Sequence, residues 1–581
     1  MQDSSPIRSF LHRPALLSVC FGVLAATACA APPADTSPAS PDLSSNAVFA
    51  AWQGNADVQR CGYCHYEPGN AFAERSTEFC RLTELKQWLQ ADKHALARQR
   101  IEPIAPEQRD AALQRIEKTL DARNRASVNV PDDWIGDSNF LSFAICQKLG
   151  YDVGTDEGFD RFRTHCLTCH GGYAASAQAQ PTAGQQGERP GISCTYCHQT
   201  GPQTDWIDRH SSGDAASQWR GLPPQTKAEH GMRNLASPSA QAELCYSCHI
   251  GDLKRGMFVT HAMYAAGHPP LPSVELSALI DAMPRHWRTP QELYKSLPQD
   301  EARDAYFRTT YPVLQRQSGD ALQVEHVQWK TDAMLHGGLT GQQQVLQMLV
   351  HAADPASQAW GDYALYDCAA CHHALKIPSP RQNVHTTGAP GRPRLLTWPQ
   401  TLSGALDRAL GQPAELAEAQ SKLELAMTQR PFGDRQAVAA AATQLNKAFE
   451  LLKSRAAERA LDREFSIELL NALATTPDDL MIDYQAARQV NWAIRGIDAE
   501  LAEQSEPLPE AVRAAIHTLG TGGEPREALV STELPGGQHR QIFPAFVRAE
   551  LQRQADYDSE IFLEQLDAIA LSLVESSTVG R

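Results

Sequence analysis

The chain has 581 residues, 42% of them hydrophobic and 21% charged, so it is long and apolar enough to bury a large core. A formal charge of −16 argues against nucleic-acid binding, which needs a cationic face to meet phosphate, and favours cationic partners. Its 37 Pro and 37 Gly fall short of a disordered composition, and the informative residues are 14 Cys and 20 His.

In chain order, Arg8 and Arg13 precede an apolar run from Ala15 to Ala28, the charged and hydrophobic regions of a secretory signal. The run is too short for a good membrane span. Ala28-Cys29-Ala30 predicts cleavage after Ala30 and a signal peptide over 1–30; the alternative is a lipid anchor on Cys29. A Pro/Ser-rich spacer follows over 31–45, and no later stretch is apolar enough to cross a bilayer. The expectation is an exported, periplasmic protein, soluble or lipid-tethered, with no transmembrane helix once mature.

Five copies of one motif come next: Cys61-Gly-Tyr-Cys64-His65, Cys166-Leu-Thr-Cys169-His170, Cys194-Thr-Tyr-Cys197-His198, Cys245-Tyr-Ser-Cys248-His249 and Cys368-Ala-Ala-Cys371-His372. Each is C-x-x-C-H, the attachment signature of c-type haem. Two thiols at this spacing reach the two vinyl groups of one porphyrin, and the adjacent imidazole lies beneath the iron. Chance would give on the order of 0.01 such matches, so five are not accidental. Zinc would want paired C-x-x-C units without a histidine in each copy, and a thioredoxin-type motif would occur once. The expected cofactor is five covalent haems c. Outside the motifs and the leader stand Cys80 and Cys146, which an oxidising compartment predicts to pair.

The sixth position on each iron decides between a closed electron carrier and an open, reactive centre. His94 lies in a helical run predicted over Glu78 to Arg100, with small residues around it. His210 follows Trp206 and Ile207, which could cover a porphyrin edge. His261 and His268 are seven residues apart, nearly one helical face, and Gly267 and Pro269 stop the helix, so the two could reach different haems. The alternative for the last three is a polar loop histidine. A fifth distal ligand stays open among His165, His230, His286, His326, His336, His351 and His385. Methionine ligation by Met232, Met257, Met263 or Met283 is a further option.

The motifs occupy residues 46–390, and the closest in sequence, the second and third, are the expected stacking pair. Strand signals are sparse. After about residue 400 the composition turns to Ala, Leu, Glu and Gln without cysteine. Val438, Ala441, Leu445, Ala448, Phe449 and Leu452 recur at helical spacing behind Asp434, a predicted N-cap, and Thr476-Pro477-Asp478-Asp479 is another helix start. The predicted fold is mainly α: loops and helices packed around covalent haems, then a helical C-terminal bundle over 400–581.

The stretch from Cys61 to His94, the run Gly191 to His210, and Cys245 through His261 to His268-Pro-Pro-Leu271 resemble the multihaem cytochromes of the cytochrome c-554 (c-552/4) class. That resemblance covers residues 48–390 and implies a periplasmic, mainly helical protein that passes electrons between packed haems, with His94, His210, His261 and His268 as ligands. The class has four haems where this chain has five motifs, so the packing order does not carry over. The C-x-x-C-K of related catalytic proteins is absent. Two readings follow: an electron-transfer cytochrome with a donor and an acceptor protein as partners, or an oxidoreductase acting on a small nitrogen or sulfur compound at one open haem.

Overall fold

The computed structural model describes residues 79–101, 145–172, 191–201, 204–211, 218–315, 322–368, 392–411, 414–520 and 556–579, with isolated positions that include Cys61, His65, Cys371 and His372. The leader, the spacer, Cys29, Cys64 and His385 lie outside the described residues. Among the described residues the chain is mainly α, with three isolated β-bridges and no longer strand.

Short helices carry the first motifs. Helix α1 (Glu84–Ala91) buries Leu85, Trp88 and Leu89, an i, i+3, i+4 stripe. The long helix predicted through His94 is broken at Asp92, which takes extended backbone. Its carboxylate instead caps a 3-10 turn, Lys93–Leu96, by accepting the His94 N–H at 2.9 Å. Helix α2 (Asp156–His165), capped by Thr155, brings Phe162 into a small core with Cys146 and Leu167. Helix α3 (Cys194–His198) is the third motif, and α4 (Trp206–Ser211) carries His210. Gly191 ties α3 to the His94 turn. A Cβ there would lie 2.2 Å from the His94 carbonyl oxygen, and that carbonyl accepts the Ile192 N–H at 2.9 Å.

Helix α5 (Pro238–His249) ends on the fourth motif, followed by α6 (His261–Ala266) and α7 (Leu276–Ala282). Helix α8 (Trp329–Ala352) is 24 residues long. Beyond it come α9 (Pro399–Ala409), α10 (Ala414–Thr428), α11 (Arg435–Glu458), α12 (Arg463–Ala474), α13 (Tyr484–Glu503), α14 (Glu510–Thr518) and α15 (Ser559–Val579). Asp434 caps α11 through the Ala437 N–H, and Val438, Ala441, Leu445, Phe449 and Leu452 are buried.

One apolar core runs from Ala242 to Leu573 through α5, α7, α8 and the helices beyond residue 399. The composition changes near residue 400, but this core does not stop there. Two glycines let α8 approach its neighbours closely: a Cβ at Gly337 would meet Leu276 Cβ at 2.6 Å, and one at Gly338 would meet Leu402 Cβ at 2.6 Å. Each costs the helix about 1 kcal/mol relative to alanine, which the close packing offsets. The start of α8 is capped from α13. The Glu500 carboxylate accepts the Lys330 N–H at 2.7 Å, the Thr331 N–H at 2.9 Å and the Thr331 hydroxyl at 2.7 Å. Burial pushes this carboxyl up to about 7. No helix among the described residues is long and apolar enough to cross a membrane.

Candidate metal centres

The motif histidines do not stand alone. His65 faces His210 with ring centres 6.3 Å apart and planes 17° from parallel. His249 faces His94 at 6.3 Å, His198 faces His286 at 6.4 Å, and His372 faces His261 at 6.3 Å. The fifth, His170, is pulled down to about 4 by burial and then by the nearby imidazole of His268, ahead of His249 and His94. Burial, followed by its facing partner, likewise brings His198 and His249 down to about 4. These imidazoles are therefore neutral at physiological pH, the form that binds a metal.

The separation has a chemical meaning. Two imidazoles bound through nitrogen on opposite sides of one metal have ring centres roughly 6.2–6.4 Å apart, given a metal–nitrogen bond of about 2.0–2.1 Å and a ring radius of about 1.1 Å. Four of the motif histidines meet that range without any constraint but the packing of the polypeptide. The donor set therefore fits an axially closed haem iron, with the motif thiols as its tethers.

The outer ring nitrogens are fixed as well, which leaves the opposite nitrogen to point inward. His210 Nδ1–H donates to the Ile207 carbonyl at 2.9 Å, and His268 Nδ1–H to the Pro269 carbonyl at 2.7 Å. Two others meet carboxylates: His65 Nδ1 lies 3.0 Å from Glu84 Oε2, and His94 Nδ1 lies 2.9 Å from Asp92 Oδ1. Burial pulls His65 down, but the hydrogen bond and charge of Glu84 outweigh it and the net shift is upward. For His94 the Asp92 hydrogen bond is the largest influence and raises it against burial.

Sequence reasoning singled out His94, His210, His261 and His268; the structure sets the first three ring to ring with a motif histidine and brings His268 close enough to His170 to lower it. It left the fifth partner open, and the structure supplies His286. Its setting resembles that of His210: Pro284 follows the end of α7, and Trp287 packs edge-on against His286 at 5.0 Å, much as Trp206 lies 5.1 Å from His210. Three other described histidines are engaged elsewhere. His165 bonds the Arg161 carbonyl, His230 bonds Asp205, and His336 lies between Ser239 and Asp332. Met257 packs against Tyr196 and Cys248.

One expectation is corrected. Cys80 and Cys146 are not bonded to each other. Cys80 sits with His65 and Glu84, their ligand atoms within 4.8 Å of one another, whereas Cys146 is buried beside Cys166 under Phe162 and Leu167. The Cys80 group holds three ligand types, but Glu84 already occupies the outer nitrogen of His65. Cys194 meets Cys61, and Cys169 meets Cys248, so the first motif neighbours the third and the second neighbours the fourth.

No family model, curated protein or solved structure matches the chain.

Proposed function

We propose that the protein is an exported, periplasmic multihaem c-type cytochrome that relays single electrons through five covalently bound haems between a donor and an acceptor protein. The observation that carries this reading is that the motif histidines are paired with remote ones, four of them at 6.3–6.4 Å between ring centres. When bound, haem c supplies a one-electron iron couple whose potential the axial ligands and their hydrogen bonds set. The chain's own residues do the rest. The motif cysteines Cys61, Cys64, Cys166, Cys169, Cys194, Cys197, Cys245, Cys248, Cys368 and Cys371 tether the five groups. His65, His170, His198, His249 and His372 are the proximal ligands, and His210, His268, His286, His94 and His261 close the opposite side.

Helix α6 serves two centres, with His261 at its first residue and His268 just past Gly267, where the helix ends. Asp362 holds that start by accepting the His261 N–H at 3.0 Å, which ties the helix to the segment leading into Cys368. The contacts of Cys61 with Cys194 and of Cys169 with Cys248 bring attachment points of different motifs together, as an electron relay requires. The charge of −16 supports a basic redox partner steered to an acidic surface. The likeness to the cytochrome c-554 class supports the same reading, and a lipid anchor at Cys29 remains the alternative to a free mature protein.

The rival, an oxidoreductase working on a small nitrogen or sulfur compound, needs one iron without a second histidine. The test uses exported full-length protein. Intact mass and a haem stain are expected to give five haems per chain, and carbon monoxide or hydroxylamine is expected to leave the spectrum unchanged. Colourless protein contradicts the reading, and ligand binding at one centre favours the rival.

A further inference from the structure

Among the described residues, two carboxylates are hydrogen-bonded to the imidazole rings of paired histidines, and both stand at the ends of one eight-residue helix. Glu84 opens α1 and meets His65; Asp92 follows its last residue and meets His94. Neither is a loose surface acid. The Asp92 side chain is 3% exposed and that of Glu84 17%. Each is held by a backbone amide in addition to its histidine: Glu84 accepts the Arg81 N–H, and Asp92 accepts the His94 N–H. The partners of His210 and His268 are backbone carbonyls, dipoles without net charge.

The difference has an electronic consequence. An imidazole that donates its outer N–H to a carboxylate becomes a more basic ligand. A charge-assisted hydrogen bond of this kind is roughly twice as strong as one to a neutral acceptor, and burial keeps water from screening it. A more basic ligand and a nearby negative charge both favour the ferric state over the ferrous. We propose that Glu84 and Asp92 are positioning residues that set the His65–His210 and His94–His249 centres as the two low-potential irons of the five. This rests on the haem reading above and assigns two of its potentials.

The experiment is a spectroelectrochemical titration of the haem-loaded full-length protein carrying Glu84→Gln, Asp92→Asn, or both. Each amide keeps an oxygen for the backbone N–H while removing the charge. Each single variant is expected to make one couple at least tenfold easier to reduce, which for one electron is about 59 mV upward, and the double variant two couples. Glu84→Asp is expected to restore part of the shift. Asp205→Asn, whose carboxylate meets His230 rather than a paired histidine, is expected to move none. Unmoved couples in both single variants, with five low-spin haems retained, overturn the proposal. So does a variant in which one iron turns high-spin, because the carboxylate then holds the ligand in place and does not tune it. Fewer than five haems in the unsubstituted protein overturns the underlying reading instead. The two sites are independent, so a misfolded variant at one leaves the other decisive.

Discussion

The residues before about 220 and the helices beyond 399 solve the same problem in opposite ways. The second region shares one apolar core with α5, α7 and α8, continuous from Ala242 to Leu573. Among the described residues the first has small, separate clusters: Val58, Leu85, Trp88, Leu89 and Ala95 in one, and Cys146, Phe162 and Leu167 in another. Clusters of this size cannot offset the conformational entropy of ordering their segments. Four of the five histidine pairs have at least one member before residue 220, so in the proposed reading the porphyrins themselves are the missing apolar material there.

That contrast can be broken most severely by preventing attachment. Protein carrying Cys→Ala at the motif cysteines is expected to lose trypsin resistance before residue 220 while fragments covering α9 to α14 survive; equal resistance of both regions would contradict the comparison. A smaller cut removes one ligand. His286→Ala is expected to turn one of five irons high-spin and open it to carbon monoxide, read by EPR and absorbance, with the other four unchanged. On the side of the large core, Gly338→Ala forces a Cβ to 2.6 Å from Leu402 Cβ and is expected to cost about 1–3 kcal/mol in chemical denaturation without altering the haem spectrum.

A further expected effect concerns pH. Burial holds Glu500 near 7 in the folded chain against an ordinary value of 4.5, so the native state keeps a proton that the unfolded chain releases. Stability is then fully free of this penalty below about pH 4.5 and falls as pH rises towards 7, by at most about 1.4 kcal/mol per pH unit. Glu500→Gln is expected to flatten that fall in melts run across the window; an unchanged slope would remove Glu500 as its source.

Much of this was legible before folding. The helical class followed from periodic apolar residues such as Val438, Leu445 and Leu452, and the proposed attachment chemistry rests on five short motifs whose spacing is local. Partnership across distance was harder. His286 looked like any loop histidine because what marks it, its approach to His198, is a tertiary contact. Asp92 broke a helix that periodicity alone would continue, since a side chain that bonds its own backbone competes with the helix. The Cys80 and Cys146 pairing failed because counting leftover thiols carries no information about where they lie. The sharing of one core by α8 and the later helices was hidden for the same reason: Gly337 and Gly338 read as weak helix residues until Leu276 and Leu402 stand against them.

The central claim is that every iron is closed by two histidines. Near-infrared magnetic circular dichroism with quantitative EPR on the oxidised, exported protein addresses it directly. The account expects five low-spin bis-imidazole irons per chain and no high-spin signal; one high-spin iron, or one with methionine ligation, would contradict it.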